Sequence, residues 1–365
     1  MSGRVWAVAG GGTGGHVTPA LALAERIRAR GDDVLIFGTA RGLESHLVPE
    51  AGFRLVTLPA RQMMGRGLLY RLGALPALLG ACLGAWRILR RERCSIVVSV
   101  GGYASVPAVL AAAARGLPVA LVEPNAIPGR ANRYAARLAR RVFVGFEAAK
   151  ARFGSQADRV EISGIPLRAA LVAAFSGEPQ RRSPEPPFRL LVFGGSQGAR
   201  QINDAMLEAA ATLRSLPLEI FHQTGEADRE RVAAGYAEAG LRAEVVAFEA
   251  EMPVRYRWAD LALCRSGALT VAELAMAGLP ALLVPYPYAA DDHQRANAEA
   301  LAAAGAARVL PGRPLPGADV AKAVTEAVSS PTELARMGAA AASLARPEAA
   351  ERIAAECEAL IEEGP

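Results

Sequence analysis

The residue most able to do chemistry on its spacing alone is Glu273, in the stretch Cys264 to Pro287, CRSGALTVAELAMAGLPALLVPYP. The apolar run Leu261 to Cys264 has strand length, and Ser266-Gly267 breaks it. Ala268 to Ala277 then carries helix-forming residues, with Leu269, Ala272 and Met276 at helical spacing. Gly278 and Pro280 stop that helix. A carboxylate one to two turns past a helix start, at the carboxyl edge of a parallel strand, can accept hydrogen bonds from a ribose diol while the preceding turn receives phosphate. An acidic residue placed there only by the helix dipole, or by solvent, is the competing account. The second chemical candidate is His16, one of four histidines, directly after the glycine run Gly10 to Gly15. Its ordinary pKa near neutrality suits a general base; a histidine merely capping or packing beside its helix is the alternative.

These residues need parallel strands with loops at one edge to position them. Arg4 to Ala9 reads as a strand, GGGTGG follows, and Thr18-Pro19 predicts a helix start running to about Arg30, with Thr18 as cap. Asp33 to Gly38 is the next strand. Gly10, Gly12 and Gly15 satisfy GxGxxG, but a nicotinamide enzyme needs an acidic residue at the end of the second strand, which here ends in Gly38-Thr39. Ser95 to Val100, Pro118 to Val122, Val142 to Gly145 and Val160 to Gly164 continue the strand series, and the loop Glu123 to Gly129 stands at the same edge as His16. Ser176 to Pro187, SGEPQRRSPEPP, reads as a linker. Beyond it the pattern repeats: strand Arg189 to Phe193, a second glycine loop Gly194 to Ala199, and a helix marked by Ile202, Met206, Ala210 and Leu213. Strands Glu219 to Gln223, Ala243 to Phe248, Asp260 to Cys264, Ala281 to Pro285 and Ala307 to Leu310 follow. A helix from Asp292 to Ala304 carries His293, Gln294 and Asn297, and the tail from Asp319 is helical.

A chain of 365 residues with 52% apolar residues supplies two α/β cores. Its four cysteines, Cys82, Cys94, Cys264 and Cys357, are widely spaced with no CxxC pair, which argues against a zinc site or a disulfide framework and fits a reducing cytoplasm. The opening residues lead straight into a strand, so no signal sequence is expected. Only Lys150 and Lys322 are lysines, and neither follows a glycine loop, which excludes a GxxxxGK[ST] phosphate loop. Basic and acidic residues are interleaved outside the segment from Arg61 to Arg93, so nucleic-acid binding has little support. That segment is apolar with basic flanks. Its uncharged run Leu72 to Trp86 is shorter than the roughly 20 residues a bilayer span needs. Leu72 to Leu89 is expected to be largely a crossover helix packed on the sheet, leaving Met63 to Tyr70 for the membrane surface.

Taken in order, GGGTGGHVTPALALAERI, GGYASVP, EPNAIPGRANR, FGGSQGARQIN, HQTGE and CRSGALTVAELAMAGLPALLVPYPYAADDHQRANA resemble the MurG family of N-acetylglucosaminyltransferases. The resemblance covers nearly the whole chain. It implies an α/β fold of two Rossmann-like domains facing across a cleft, the type B glycosyltransferase fold. The N-terminal, acceptor and membrane-facing domain would comprise residues 1–163, completed by a C-terminal helix at 347–365, and the UDP-sugar-binding domain residues 164–346. It implies transfer of N-acetylglucosamine from UDP-N-acetylglucosamine to the C4 hydroxyl of undecaprenyl-linked lipid I at the cytoplasmic face of the cell membrane, giving lipid II for peptidoglycan.

In that family's terms Glu273 would bind the ribose hydroxyls, Ser196 and Arg168 the nucleotide and phosphates, and Glu249 the uracil through its backbone. Ala268, Leu269 and Thr270 would offer a helix N-terminus to phosphate, and Gln294 would hold the sugar. Thr13, Gly14, Gly15 and Asn125 would come from the opposite wall. One departure stands out: the family carries His-Glu-Gln-Asn where this chain has Val122-Glu123-Pro124-Asn125, which strengthens His16 as the base. There is no Asp-x-Asp motif, so no metal or other cofactor is expected beyond the donor substrate. A UDP-N-acetylglucosamine 2-epimerase of the same fold, or a non-catalytic nucleotide-sugar-binding protein, are the alternatives.

Overall fold

The computed structural model describes residues 3–59, 68–177, 182–195 and 197–364, with the side chains of 68–75 excepted. The Met63 to Tyr70 membrane segment, Ser196 and part of the expected linker therefore lie outside the described residues or side chains. Two compact units account for the chain: Met1–Ala170 with Arg346–Pro365, and Leu171–Ala345.

The first unit is built on a seven-stranded parallel sheet. Its strands are β1 (Val5–Gly10), β2 (Asp33–Gly38), β3 (Arg54–Thr57), β4 (Cys94–Gly101), β5 (Val119–Glu123), β6 (Arg141–Val144) and β7 (Val160–Ile162). Their order is β3-β2-β1-β4-β5-β6-β7. The side-chain period of two sends Ala7, Leu35, Val97 and Leu121 to one face and Trp6, Val8, Ile36 and Val98 to the other, and both faces are covered. This is why the strands read as continuous apolar runs. The last helix, Ala349–Glu362, belongs to this unit. Its Ile353, Ala354, Cys357 and Leu360 enter the same core as Leu21, Leu23 and Ile27 of the helix Gly14–Ala29. Arg30 pairs with Glu351 at 2.6 Å and Arg4 with Glu362 at 2.9 Å along that contact.

Two sequence expectations need correction here. The first helix begins at Gly14, not Thr18: Thr13 is extended (φ −132°, ψ 156°), and its carbonyl accepts the N–H of His16 at 3.0 Å and of Val17 at 3.1 Å. Pro19 thus lies inside the helix, and the glycines, rather than the proline, supply its first turn. The helix Leu68–Arg91 buries Ala81, Ala85 and Leu89 against the sheet but leaves Leu79 59% and Leu83 55% exposed. Its apolar residues therefore serve two faces and not the sheet alone. Strand β3 and the helix Glu44–Glu50 carry no strong periodicity and are additions to the sequence reading.

The second unit repeats the plan with six parallel strands: β8 (Phe188–Phe193), β9 (Leu218–Gln223), β10 (Ala243–Val246), β11 (Leu261–Cys264), β12 (Ala281–Leu283) and β13 (Ala307–Val309), in the order β10-β9-β8-β11-β12-β13. Leu190, Val192, Leu261, Leu263, Leu282 and Val284 form one core with Ile202, Met206, Ala210 and Leu213 of the helix Arg200–Leu213. In each sheet the strand order reverses beside the first strand, between β1 and β4 and between β8 and β11. Loops diverge to opposite faces at such a switch point, opening a crevice at the carboxyl edge. Both glycine loops lie at these two crevices, and Glu273 is on the helix that leaves the second one.

Candidate active site

In the first unit the crevice is lined by the loops after β1, β4 and β5. Gly102 has φ +81°, and a Cβ added there would come within 2.5 Å of the Gly11 carbonyl oxygen, so the first two loops pack backbone to backbone. Thr13 is exposed, and its Oγ1 lies 3.0 Å from Nδ1 of half-buried His16. Gly14 and Gly15 form the first helical turn, whose N–H groups have no partner within the helix.

Behind the loop stands a residue the sequence did not single out. Glu44 is fully buried and accepts the N–H of Gly12 on Oε2 at 2.9 Å, with the N–H and hydroxyl of Thr39 on Oε1 at 2.9 and 2.7 Å. Burial works to raise its pKa, but these hydrogen bonds outweigh it and hold the carboxyl below its ordinary value. The third loop has a similar brace. Buried Glu123 accepts the backbone N–H of Asn125 (2.9 Å) and of Gly129 (3.0 Å), and the amides of Asn125 (3.2 Å) and Asn132 (2.8 Å). Burial pushes its carboxyl up, against those bonds. Val122, where the resemblance led to the expectation of a histidine, is wholly buried in the core. Arg168 lies in this unit, its guanidinium paired with Glu25 at 2.6 Å.

The second unit holds a cavity of about 880 Å³ at its switch point, lined among others by Gly198, Gln201, Arg265, Thr270, Tyr286 and Gln294. Two helices begin at its rim, Arg200–Leu213 after β8 and Ala268–Ala277 after β11. Their N-termini direct partial positive charge toward a bound anion. The latter helix has the bounds read from the sequence and ends on Gly278 in the left-handed conformation (φ +59°). Thr270 and Leu269 are half-buried in its first turn and Ala268 is buried. Gln294 accepts the N–H of Tyr286 through Oε1 at 2.9 Å, while its carbonyl accepts the hydroxyl of Ser266 at 2.8 Å. Asn297 donates to the Ser266 carbonyl at 3.1 Å, tying the helix His293–Ala303 to the turn before Ala268.

Arg265 is a second residue the sequence left unassigned. It is buried, with Nη1 donating to Gln201 Oε1 at 3.0 Å and to the carbonyls of Val284 and Pro285 at 3.3 and 3.2 Å. Burial lowers its pKa, and among the described residues it forms no ion pair with a carboxylate. A cation therefore faces the cavity. The second glycine loop rests on a buried network: His222 contacts Tyr236 Oη through Nδ1 at 2.7 Å and Asn203 Oδ1 through Nε2 at 3.0 Å, and Asn203 donates to the Thr224 carbonyl at 3.0 Å and to Asp228 Oδ2 at 2.8 Å. Burial drives the His222 pKa down to about 3, so it is uncharged.

Glu273 is partly buried, and its Oε2 accepts the Tyr256 hydroxyl at 2.7 Å. Burial raises its carboxyl to about 7, with the Tyr256 bond opposing. Glu249, beyond β10, accepts the Glu251 N–H at 2.8 Å and Arg255 Nε at 2.7 Å. Burial works upward on this carboxyl too, yet the Arg255 and backbone bonds hold it below its ordinary value. Within the second unit the structure thus gathers Thr270 and Gln294 on one cavity, and Glu273 on the same helix as Thr270. Within the first unit it gathers Thr13, Gly14, Gly15 and His16 on one loop and Asn125 on another loop of that carboxyl edge.

Two Rossmann-like units, each with a glycine loop at its switch point, define a type B glycosyltransferase. Residues 6–144 match the glycosyltransferase family 28 N-terminal domain and residues 189–353 its C-terminal domain. The UDP-N-acetylglucosamine–N-acetylmuramyl-(pentapeptide) pyrophosphoryl-undecaprenol N-acetylglucosamine transferase of Geobacter metallireducens is 42% identical over 95% of this chain and 96% of its own. The crystal structure of MurG from Acinetobacter baumannii superposes with a TM-score of 0.80 at 31% identity, covering 98% of this chain and 99% of that one. The UDP-GlcNAc 2-epimerase of Neisseria meningitidis shares the fold, with a TM-score of 0.67 over 96% of this chain and 98% of its own, but only 14% identity. The chain belongs to the MurG family of N-acetylglucosaminyltransferases.

Proposed function

We propose that this chain moves N-acetylglucosamine from UDP-N-acetylglucosamine to the C4 hydroxyl of the muramoyl residue of lipid I by a single inverting displacement, giving lipid II. The acceptor oxygen attacks the anomeric carbon as the bond from that carbon to the β-phosphate oxygen breaks. The bonding pair leaves with UDP, and the hydroxyl proton passes to His16. Family membership supports the donor and acceptor classes. The observation that carries the site reading is the second unit's cavity, which combines two helix N-termini with a cation lacking a carboxylate partner among the described residues. That combination suits a leaving diphosphate, and Arg265 joins Ser196 and Arg168 as a residue proposed to meet its charge. We read Glu273 as the ribose clamp, Glu249 as the backbone anchor for uracil, Ala268 to Thr270 as phosphate contacts and Gln294 as the sugar contact. Thr13, Gly14, Gly15 and Asn125 are the proposed contacts of the first unit. The reaction as written routes no step through a metal.

For His16 to act as base through Nε2, Nδ1–H must donate to Thr13 Oγ1, and their 3.0 Å contact has room for that hydrogen bond. Such a base contributes about 10² to 10⁴ in rate. His16→Ala is therefore expected to lose transfer to a lipid I analogue on that scale, and turnover at the unaltered rate refutes the assignment.

Attachment to the cytoplasmic face of the membrane is proposed through the first unit. Leu79 and Leu83 project from the helix Leu68–Arg91 beside exposed Arg87, Arg90 and Arg91. Tyr134 and Leu138 are exposed beside Arg133 and Arg137. Apolar side chains ringed by arginine suit an anionic lipid surface. Among the described residues no helix is long and apolar enough to cross a membrane.

A further inference from the structure

The donor-side carboxylate is held by a residue from a different helix. Tyr256 belongs to Met252–Trp258, is 1% exposed, and packs its ring on Phe193 at the end of β8, centroids 5.9 Å apart. Its hydroxyl reaches Glu273 Oε2 at 2.7 Å. We propose that Tyr256 is a positioning residue that fixes the Glu273 carboxylate in the orientation that receives both ribose hydroxyls, and so sets the preference for a ribonucleoside over a 2′-deoxyribonucleoside diphosphate. The inference rests on Glu273 being the ribose clamp.

The choice of partner carries the argument. A glutamate side chain has three rotatable bonds, and ordering it on ligand binding costs affinity. An arginine partner would order it but would occupy both carboxylate oxygens in a bidentate pair, competing with the diol. A single phenol donates one hydrogen bond, leaving Oε1 and a second lone pair of Oε2 for the two hydroxyls. The other titratable group coupled to Glu273 is the buried Cys264 thiol, whose pKa burial and the Glu273 charge push up, keeping it protonated. Burial likewise pushes the Tyr256 phenol well above its ordinary value, so it remains a donor. The carboxylate is thus oriented by a partner that brings no positive charge of its own.

The test measures binding of UDP and 2′-deoxy-UDP to the full chain at pH 8 by calorimetry, for the unaltered protein, Tyr256→Phe, Glu273→Ala and the double variant. Phenylalanine keeps the ring on Phe193, so the fold is retained. Tyr256→Phe is expected to weaken UDP about fivefold to tenfold, the scale of one hydrogen bond to a charged group, while 2′-deoxy-UDP weakens less. In the Glu273→Ala background the same change should have no further effect. Equal weakening of both nucleotides, or the same loss with Glu273 absent, marks Tyr256 as a general packing residue and overturns the proposal. If Glu273→Ala weakens UDP while Tyr256→Phe does not, the positioning role alone fails; if Glu273→Ala leaves UDP affinity unchanged, the ribose clamp itself fails. Glu273→Asp, which draws the carboxylate away from the phenol, is an independent check: full retention of the ribose preference overturns the proposal without recourse to Tyr256.

Discussion

Glu44→Gln separates charge from shape in the brace behind the first glycine loop. A Cβ added at Gly11 would lie 2.4 Å from Glu44 Oε1, one at Gly38 2.6 Å from its Cγ, and one at Gly42 2.1 Å from Oε2. Three glycines therefore make room for one carboxylate, on which only donors converge: Gly12 N–H, Thr39 N–H and the Thr39 hydroxyl. A glutamine fits the space but presents one carbonyl and one amino group. With the carbonyl toward Thr39, the amino group meets the Gly12 N–H, donor against donor. The variant loses a charge-assisted bond worth about 1.5–3 kcal/mol and strands a buried N–H at about 1–3 kcal/mol, so a loss near 3 kcal/mol is expected in the first unit. Because the two units need not unfold together, native-state hydrogen exchange at Ala7 to Ala9 of β1 is the suitable assay. The pH dependence supplies a second reading. The folded-state pKa of Glu44 lies below the ordinary 4.5, so its contribution is present above about 4.5 and is lost as pH falls through the depressed value. The gap between unaltered and variant protein should therefore be constant near neutrality and close only in acid. A glutamine variant with unaltered protection refutes the brace.

Three other outcomes are expected. Glu273→Ala should weaken UDP binding by about 1–3 kcal/mol; in the unaltered protein, UDP affinity should fall as pH drops below about 7, where Glu273 takes up a proton, and a flat profile excludes the carboxylate from binding. Gly198→Ala places a Cβ 1.8 Å from the Thr224 carbonyl oxygen at φ +71°, whereas Gly195→Ala meets nothing within 4 Å at φ +101°; the first should cost UDP affinity at least about tenfold more than the second, both paying for positive φ but only one for a backbone clash. Replacing Leu79 and Leu83 together by Asp should reduce binding to anionic phosphatidylglycerol vesicles about tenfold or more, since burying a leucine contributes about 1.5–3 kcal/mol; unaltered partitioning would remove that face from membrane docking.

What could be read in the sequence follows from the range of the interaction that encodes it. The helix Ala268–Ala277 was legible because its start, period and glycine stop all lie within one short stretch, and the duplicated plan because each half announces its switch point with a glycine loop. The brace of the first loop was not, since Glu44 is 32 residues from Gly12 and occupies a helix too short to show a period. Tyr256 lies 17 residues from Glu273 in a basic-looking helix, MPVRYRW, where nothing local distinguishes a ligand-orienting phenol from a packed one. Arg265 sat in full view within CRSG, but its meaning depends on its having no carboxylate ion pair among the described residues, which only the folded unit displays. The first helix was misplaced for a related reason: Thr18-Pro19 is a good local cap, yet the fold draws the chain into helix already at Gly14, where the loop must turn to carry His16 to the sheet edge.

The two glycine loops are supported by opposite electrostatics, and the difference matches the charge each half must manage. Behind the second loop His222 is uncharged, the carboxylate that Asn203 reaches, Asp228, is paired with Arg231 at 2.9 Å, and Arg200, Arg265 and Arg313 put positive charge on the cavity wall. A leaving diphosphate gains negative charge as the sugar bond breaks, so a carboxylate brace there would oppose the reaction. Behind the first loop the brace is a carboxylate, Glu44, with its pKa held down by the Gly12 N–H of that loop and by the N–H and hydroxyl of Thr39. In the proposed mechanism His16 becomes a cation on taking up the hydroxyl proton, and a fixed negative charge behind its loop suits that role. Exchanging the supports would therefore impair transfer even if both loops kept their shape. Glu44→Gln should accordingly lower kcat for transfer more than it raises the KM for UDP-N-acetylglucosamine, whereas a loop that only lost its shape would lower kcat and raise KM to a similar extent.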